Sequence, residues 1–155
     1  MVRLHLEDVV TDVLTLIHYE LTRRHVAIHA DLSKDLPPIL ADRIQLQQVL
    51  LNLVMNGVEA MNEVAGAERK ISIGARRHEH NGRPAVLVSV QDSGVGLKPG
   101  EVDRLFEAFY TTKARGIGMG LSISRSIVEA HGGRLWVAPA GGPGATFEFI
   151  LPAKS

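Results

Sequence analysis

Asn81-Gly82 separates two strand-like stretches, residues 70–76 and 85–90. Asn-Gly at such a place is a tight-turn signal, because both residues accept the positive φ that a two-residue hairpin demands. The two strands then run antiparallel, which argues against a purely parallel sheet. Around this hairpin, helical and strand periodicities are interspersed. Val9, Val10, Val13, Leu14, Ile17 and Leu21 fall on one face of a helix over residues 7–24. Residues 26–30 alternate like a strand. Pro37-Pro38 breaks the chain before a second helix over residues 42–63, with Asp42 at its N-cap and Leu46, Val49, Leu50, Leu53 and Val54 on its buried face. After the hairpin come a glycine-containing loop at 92–100, a short helix near 102–106 and a flexible stretch at 111–120. A helix over 121–130 follows, ended by Gly132-Gly133, and strands at 134–137 and 146–151 close the chain. The pattern predicts an α/β sandwich of the α+β kind, a mixed sheet with helices packed on one face.

Composition narrows the function classes. One compact domain accounts for all 155 residues, and such a domain buries roughly 68–70% of its unfolded surface without a covalent staple. There is no cysteine, which excludes a disulfide scaffold and a thiolate zinc site. Lys plus Arg and Asp plus Glu balance at 17 each. That balance gives no support for broad electrostatic binding to nucleic acid or anionic membrane. No apolar run approaches the ~18 residues of a membrane span, and the first residues lack the apolar core of a signal peptide.

Four clusters carry chemistry. On the second helix, Asn52, Asn56 and Glu59 are spaced by four and three, so they share a face. Two amides and a carboxylate there could line a ligand cleft, and an Asn carbonyl is a hard oxygen donor suited to Mg²⁺ beside phosphates; a solvated polar edge is the plain alternative. Asp92-Ser93-Gly94-Val95-Gly96-Leu97 follows an apolar strand. An ionised Asp only accepts hydrogen bonds, so it suits the exocyclic amino group of adenine and opposes the oxygen that guanine carries. The glycines would let backbone approach a flat base, although a plain turn has the same composition. Gly116-Ile117-Gly118-Met119-Gly120-Leu121 leads into a helix, whose first N–H groups form an anion site. Lys113 stands upstream as a point charge. Its spacing is neither the dinucleotide fingerprint nor a P-loop. Finally, Phe106, Phe109 and Tyr110 crowd into five residues before Lys113, in a chain with seven aromatics. They serve either the core or a docking patch.

Taken together and in this order, the clusters resemble the catalytic, ATP-binding domain of sensor histidine kinases. QQVLLNLVMNGVEAM is similar to the asparagine box, DSGVGL to the first glycine box, LFEAFYTTK to the phenylalanine box and GIGMGLSISRSIVEAHGG to the second glycine box. GPGATFEFILP resembles the closing strand motif. The similarity runs from about Val9 to Pro152. Glu59-Ala60-Met61, the FYTTK run and a short lid resemble most the nitrogen-fixation and nitrogen-regulation subclass.

The resemblance implies a Bergerat fold with a mostly antiparallel mixed sheet and an ATP site between helices and sheet. Asn56 would coordinate Mg²⁺, with Asn52 beside it shaping the phosphate site and Glu59 on the same edge. Asp92 would bind adenine, with Gly94, Gly96 and Leu97 around it. Thr112, Lys113, Gly116, Gly118, Gly120 and Leu121 would form and anchor a lid over the phosphates, and Thr146 would support the adenine end. Asn52, Asn56 and Lys113 would be the catalytic group. Gly57 stands where Ala is usual and could loosen the helix by up to ~1 kcal/mol; Ala108 replaces a usual Pro. Related ATPases carry a water-activating Glu where Asn52 stands, so efficient hydrolysis is not expected.

The implied reaction is γ-phosphoryl transfer from Mg·ATP to a His on a separate dimerisation domain, with a response regulator downstream. That domain and any sensor domain are absent from these 155 residues. The chain would be a cytoplasmic monomer and its parent a homodimer. A Bergerat-fold ATPase or serine kinase, and a nucleotide-free docking module, are the alternatives. The seven His residues fit no acceptor motif. His18 reads as surface, His78-Glu79-His80 as a solvated turn, and His131 as a helix-end residue suited to the macrodipole if protonated. Trp136 reads as packing.

Overall fold

The computed structural model describes residues 1–61, 69–94, 120–138 and 144–154. Two long helices supply most of the apolar surface. α1 (Leu6–Arg23) turns Leu6, Val9, Val10, Val13, Ile17 and Leu21 inward. α2 (Arg43–Ala60) turns Leu46, Val49, Leu50, Leu53, Val54, Gly57 and Val58 inward. Asp42 caps α2 as expected, its side chain accepting from the Gln45 amide at 3.0 Å. A third helix, α3 (Gly120–Ala130), buries Ser124 and Val128.

These helices cover one face of a five-stranded sheet formed by β2 (Ala27–Leu32), β4 (Lys70–His80), β5 (Arg83–Asp92), β6 (Arg134–Val137) and β7 (Thr146–Pro152). The strand order is β2-β4-β5-β7-β6. β2 and β4 pair in parallel, and the other three pairs are antiparallel. The expected mixed, mostly antiparallel sheet with helices on one face is therefore present. Asn81 and Gly82 both take positive φ, 55° and 76°, as the β4–β5 hairpin requires. Ile71, Ile73, Val86, Val88, Val90, Phe147 and Phe149 point into the core beneath the helices.

Several expectations need correction. β4 and β5 run longer than the periodicity indicated, reaching His80 and starting at Arg83. His78 and His80 are consequently strand residues rather than turn residues. A further pair, β1 (Val2–Leu4) and β3 (Ile39–Ala41), forms a separate antiparallel ribbon. α2 ends at Ala60 rather than at residue 63. The short helix near 102–106 lies outside the described residues. Trp136 does pack, against Ala85, Leu87 and Ile150 on the outer sheet face, and its indole N–H donates to Glu148 at 3.1 Å.

His131 is the largest departure. Its ring is buried. The Asp42 amide donates to Nε2 at 3.0 Å, and Nδ1 stands 2.8 Å from the Ile127 carbonyl. With the Asp42 amide donating to Nε2, Nδ1 is the ring nitrogen left to donate, and the Ile127 carbonyl lies within its reach. Its role is to tie the end of α3 to the start of α2. The chain turns away directly behind it, where Gly132 takes φ 82° and the Gly133 amide reaches back to the Val128 carbonyl. Replacing His131 with Ala should lower stability by about 2–3 kcal/mol, through two lost hydrogen bonds and an unfilled site. Urea unfolding of His131→Ala beside the exposed control His78→Ala measures it; the control should move by less than about 0.5 kcal/mol.

Candidate functional site

α2 is apolar toward the sheet and polar along one edge, where Asn52, Asn56 and Glu59 are all half-buried. The helix rises about 1.5 Å per residue, so this edge is about 10 Å long. Different elements meet it at its two ends.

At the C-terminal end, α2 touches the last residues of β5. Gly57 has no side chain, and a Cβ there would lie 2.8 Å from Ile71 Cδ1 and 3.0 Å from Asp92 Cβ. Gly57 thus lets helix and sheet approach closely beside Asp92. The expected loosening of the helix is only part of the account, since the missing methyl makes room for the carboxylate. Gly94 is held as tightly: a Cβ would come within 2.6 Å of the Ala60 carbonyl oxygen.

Asp92 itself is buried, 5% exposed. Its Oδ1 accepts from the Gly94 amide at 2.8 Å and the Ala145 amide at 3.3 Å. Its own amide donates to the Ala145 carbonyl at 3.0 Å. These bonds fix the carboxylate at the edge of the sheet, facing α2. Thr146 follows immediately, paired in register with Gln91, and is half-buried. Gly144 passes so close that a Cβ would lie 2.0 Å from the Asp92 carbonyl oxygen, and its φ is 86°.

At the other end, Asn52 meets the first turn of α3. Its Nδ2 donates to the Gly120 carbonyl at 3.3 Å and to Ser124 Oγ at 3.2 Å. The chain therefore passes out of the described residues at Gly94, beside Ala60, and returns at Gly120, beside Asn52. Leu121 is half-buried and packs against the core. Gly96, Leu97, Thr112, Lys113, Gly116 and Gly118 lie outside the described residues, as do Phe106, Phe109 and Tyr110.

The structure thus brings Asn52, Asn56, Glu59, Asp92, Gly94, Gly120 and Thr146 to one edge of the sandwich. Sequence reasoning missed Ser124, Gly144 and the Ala145 amide. Ser124 left a signal: it is a hydroxyl on the inward stripe of α3 at helical spacing from Leu121 and Val128. Gly144 and a backbone amide left none. A separate concavity of about 380 Å³ lies on the sheet, lined by Asp31, Ser33, Gly74, Arg76, Ser89 and Glu148 among others. It shares no residue with the α2 edge.

Residues 41–155 match the family described as histidine kinase-, DNA gyrase B-, and HSP90-like ATPase. The chain belongs to this family, in its sensor histidine kinase branch. It is 38% identical over 148 residues to the sensor protein TdiS of Thauera aromatica, covering 96% of this chain and 27% of that protein. It is 42% identical over 130 residues to the sensor protein FixL of Bradyrhizobium diazoefficiens, covering 84% of this chain and 25% of that one. The chain thus spans about a quarter of the length of these curated relatives. Among solved structures, the nucleotide-free catalytic domain of the histidine kinase ThkA superposes with a TM-score of 0.81 at 30% identity, covering 97% of this chain and 94% of that one. ThkA has also been solved with the response regulator TrrA; that kinase chain matches with a TM-score of 0.79 at 29% identity, over 98% of this chain and 41% of that one. The histidine kinase fold is thereby established for this chain, and no described helix is long and apolar enough to cross a membrane.

Gly144 and Gly82 both need positive φ, but only Gly144 is crowded; nothing lies within 4 Å of a Cβ at Gly82. Gly82→Ala should cost about 1–2 kcal/mol for the backbone alone. Gly144→Ala should cost about 1–3 kcal/mol beyond that, for the clash with Asp92. Paired thermal or denaturant melts measure the difference, and equal costs would contradict the packing described around Asp92.

Proposed function

We propose that this chain binds Mg·ATP along the polar edge of α2 and transfers its γ-phosphoryl group to a histidine on a separate dimerisation domain. The observation that carries the reading is the pair of attachments on α2: a buried, amide-anchored Asp92 at one end and the start of α3 at the other. Family membership supports it. The anchored carboxylate suits the adenine amino group, and the first N–H groups of α3 suit phosphate. Glu59 and Thr146 flank the adenine end, and Gly94 and Leu121 line the same edge. Gly96, Leu97, Thr112, Lys113, Gly116 and Gly118 would complete the site as a lid.

For the metal, the donor set fits: Asn56 offers a neutral hard oxygen midway along the edge, and Mg²⁺ takes few protein ligands when phosphates supply the rest. When bound, Mg²⁺ would neutralise charge on the phosphates. The chain's own residues position and shield. Asn52 presents an amide whose nitrogen donates to Gly120 and Ser124; it is not a base and cannot activate water. Transfer to a protein nucleophile is favoured over hydrolysis on that ground. The acceptor would come from the parent protein's dimerisation domain, and a response regulator would receive the phosphoryl group from it.

Calorimetric titration with a non-hydrolysable ATP analogue tests the site. Binding should strengthen with Mg²⁺, and the matching GTP analogue should bind weakly. Asp92→Asn should weaken ATP-analogue binding by about 10- to 100-fold, since a carboxylate acceptor becomes in part a donor. Asn56→Ala should abolish the Mg²⁺ enhancement. A folded protein that binds neither analogue would point to a docking module, and rapid release of free phosphate from ATP would point to an ATPase. Radiolabel transfer to an added dimerisation domain tests the reaction itself.

A further inference from the structure

We infer that Ser124 is a positioning residue for the nucleotide site: it locks the first turn of α3 onto Asn52. The inference rests on the ATP reading above and assigns a residue outside it. Ser124 is fully buried, at 0% exposure. It lies one helical turn after Gly120, on the inward face with Val128. Asn52 Nδ2 carries two protons. Gly120 O lies 3.3 Å from it and Ser124 Oγ 3.2 Å. One amide group therefore grips α3 at two points, residues i and i+4 of its first turn.

A buried hydroxyl is costly without a partner, and in a helix Ser is a poorer former than Ala. Packing alone would favour Ala at this position. What the hydroxyl adds is an acceptor for the second Asn52 proton. Without it, Asn52 keeps only the Gly120 carbonyl, and the first turn of α3 loses its second attachment to α2. That turn carries the N–H groups proposed to face phosphate. Ser124 cannot reach a ligand itself, being buried beneath the turn, so it acts through Asn52 and the helix. The adenine end is fixed separately, by Asp92 with Gly94 and Ala145, and should not depend on it.

The effect should accordingly split the nucleotide. With Mg²⁺ and a non-hydrolysable ATP analogue, Ser124→Ala should bind about three- to tenfold more weakly than wild type, the range for one lost hydrogen bond. Adenosine, measured by competition, should bind within about twofold of wild type. Adding Ser124→Ala to Asn52→Ala should change triphosphate affinity little further, because the two residues form one unit. Ser124→Cys, which keeps the size but replaces the hydroxyl with a weak acceptor, should show the same split, and it serves if Ser124→Ala fails to fold. Unchanged triphosphate affinity, an equal loss for both ligands, or full additivity would each overturn the assignment of Ser124. A wild-type chain that binds no ATP analogue would instead overturn the nucleotide reading, and the inference with it.

Discussion

The close approach of α2 to the end of β5 is the constraint on which the site depends. An amphipathic helix must bury its apolar face, and α2 does so with Leu46, Val49, Leu50, Leu53 and Val54 over the sheet. Near its end the apolar stripe gives way to Gly57, and the space a side chain would fill is taken by Ile71 and Asp92. A carboxylate is thereby brought into a largely apolar layer. It is tolerated because the Gly94 and Ala145 amides donate to it. Helix, sheet and the Gly144 turn fix one another, and Asp92 is the group they share.

α3 is bound to α2 in a comparable way, at both ends. Asn52 holds its first turn through Gly120 and Ser124, and His131 joins its last turn to the Asp42 amide at the start of α2. The two helices are thus fixed lengthwise by polar contacts, while Val128 and its neighbours supply the apolar contact between layers. Apolar packing alone is non-directional and would leave helix register loosely set. Directional hydrogen bonds from partly buried groups set it, and register matters here because the start of α3 borders the polar edge.

Much of this was legible in the sequence, for identifiable reasons. The stripes on α1 and α2, the Asn81-Gly82 hairpin and the Asp42 cap are local signals, and the structure follows them. The motif order carried the family resemblance, which implies a site between helices and sheet; in the structure Asp92, Gly94 and Gly120 all border α2. What was hidden is non-local. The parallel pairing of β2 with β4 joins segments about 40 residues apart, and the three-residue strands β1 and β3 are too short to show a period. Helix propensity saw only a cost in Gly57, because the neighbour that explains it lies on another strand. The tie that His131 makes was hidden because its partner, the Asp42 amide, is 89 residues away. Backbone donors such as Ala145 leave no mark in a sequence at all.

The central claim is that one nucleotide lies along the polar edge of α2, from Asp92 to the start of α3. The most direct measurement is an amide-resolved NMR titration of the chain with Mg²⁺ and a non-hydrolysable ATP analogue. Saturable shifts should gather at Asn52, Asn56, Asp92, Gly94, Gly120 and Thr146, with the outer-face residues Gly74, Ser89 and Glu148 unmoved. Shifts confined to that outer face, or no shifts from a folded chain, would contradict the account.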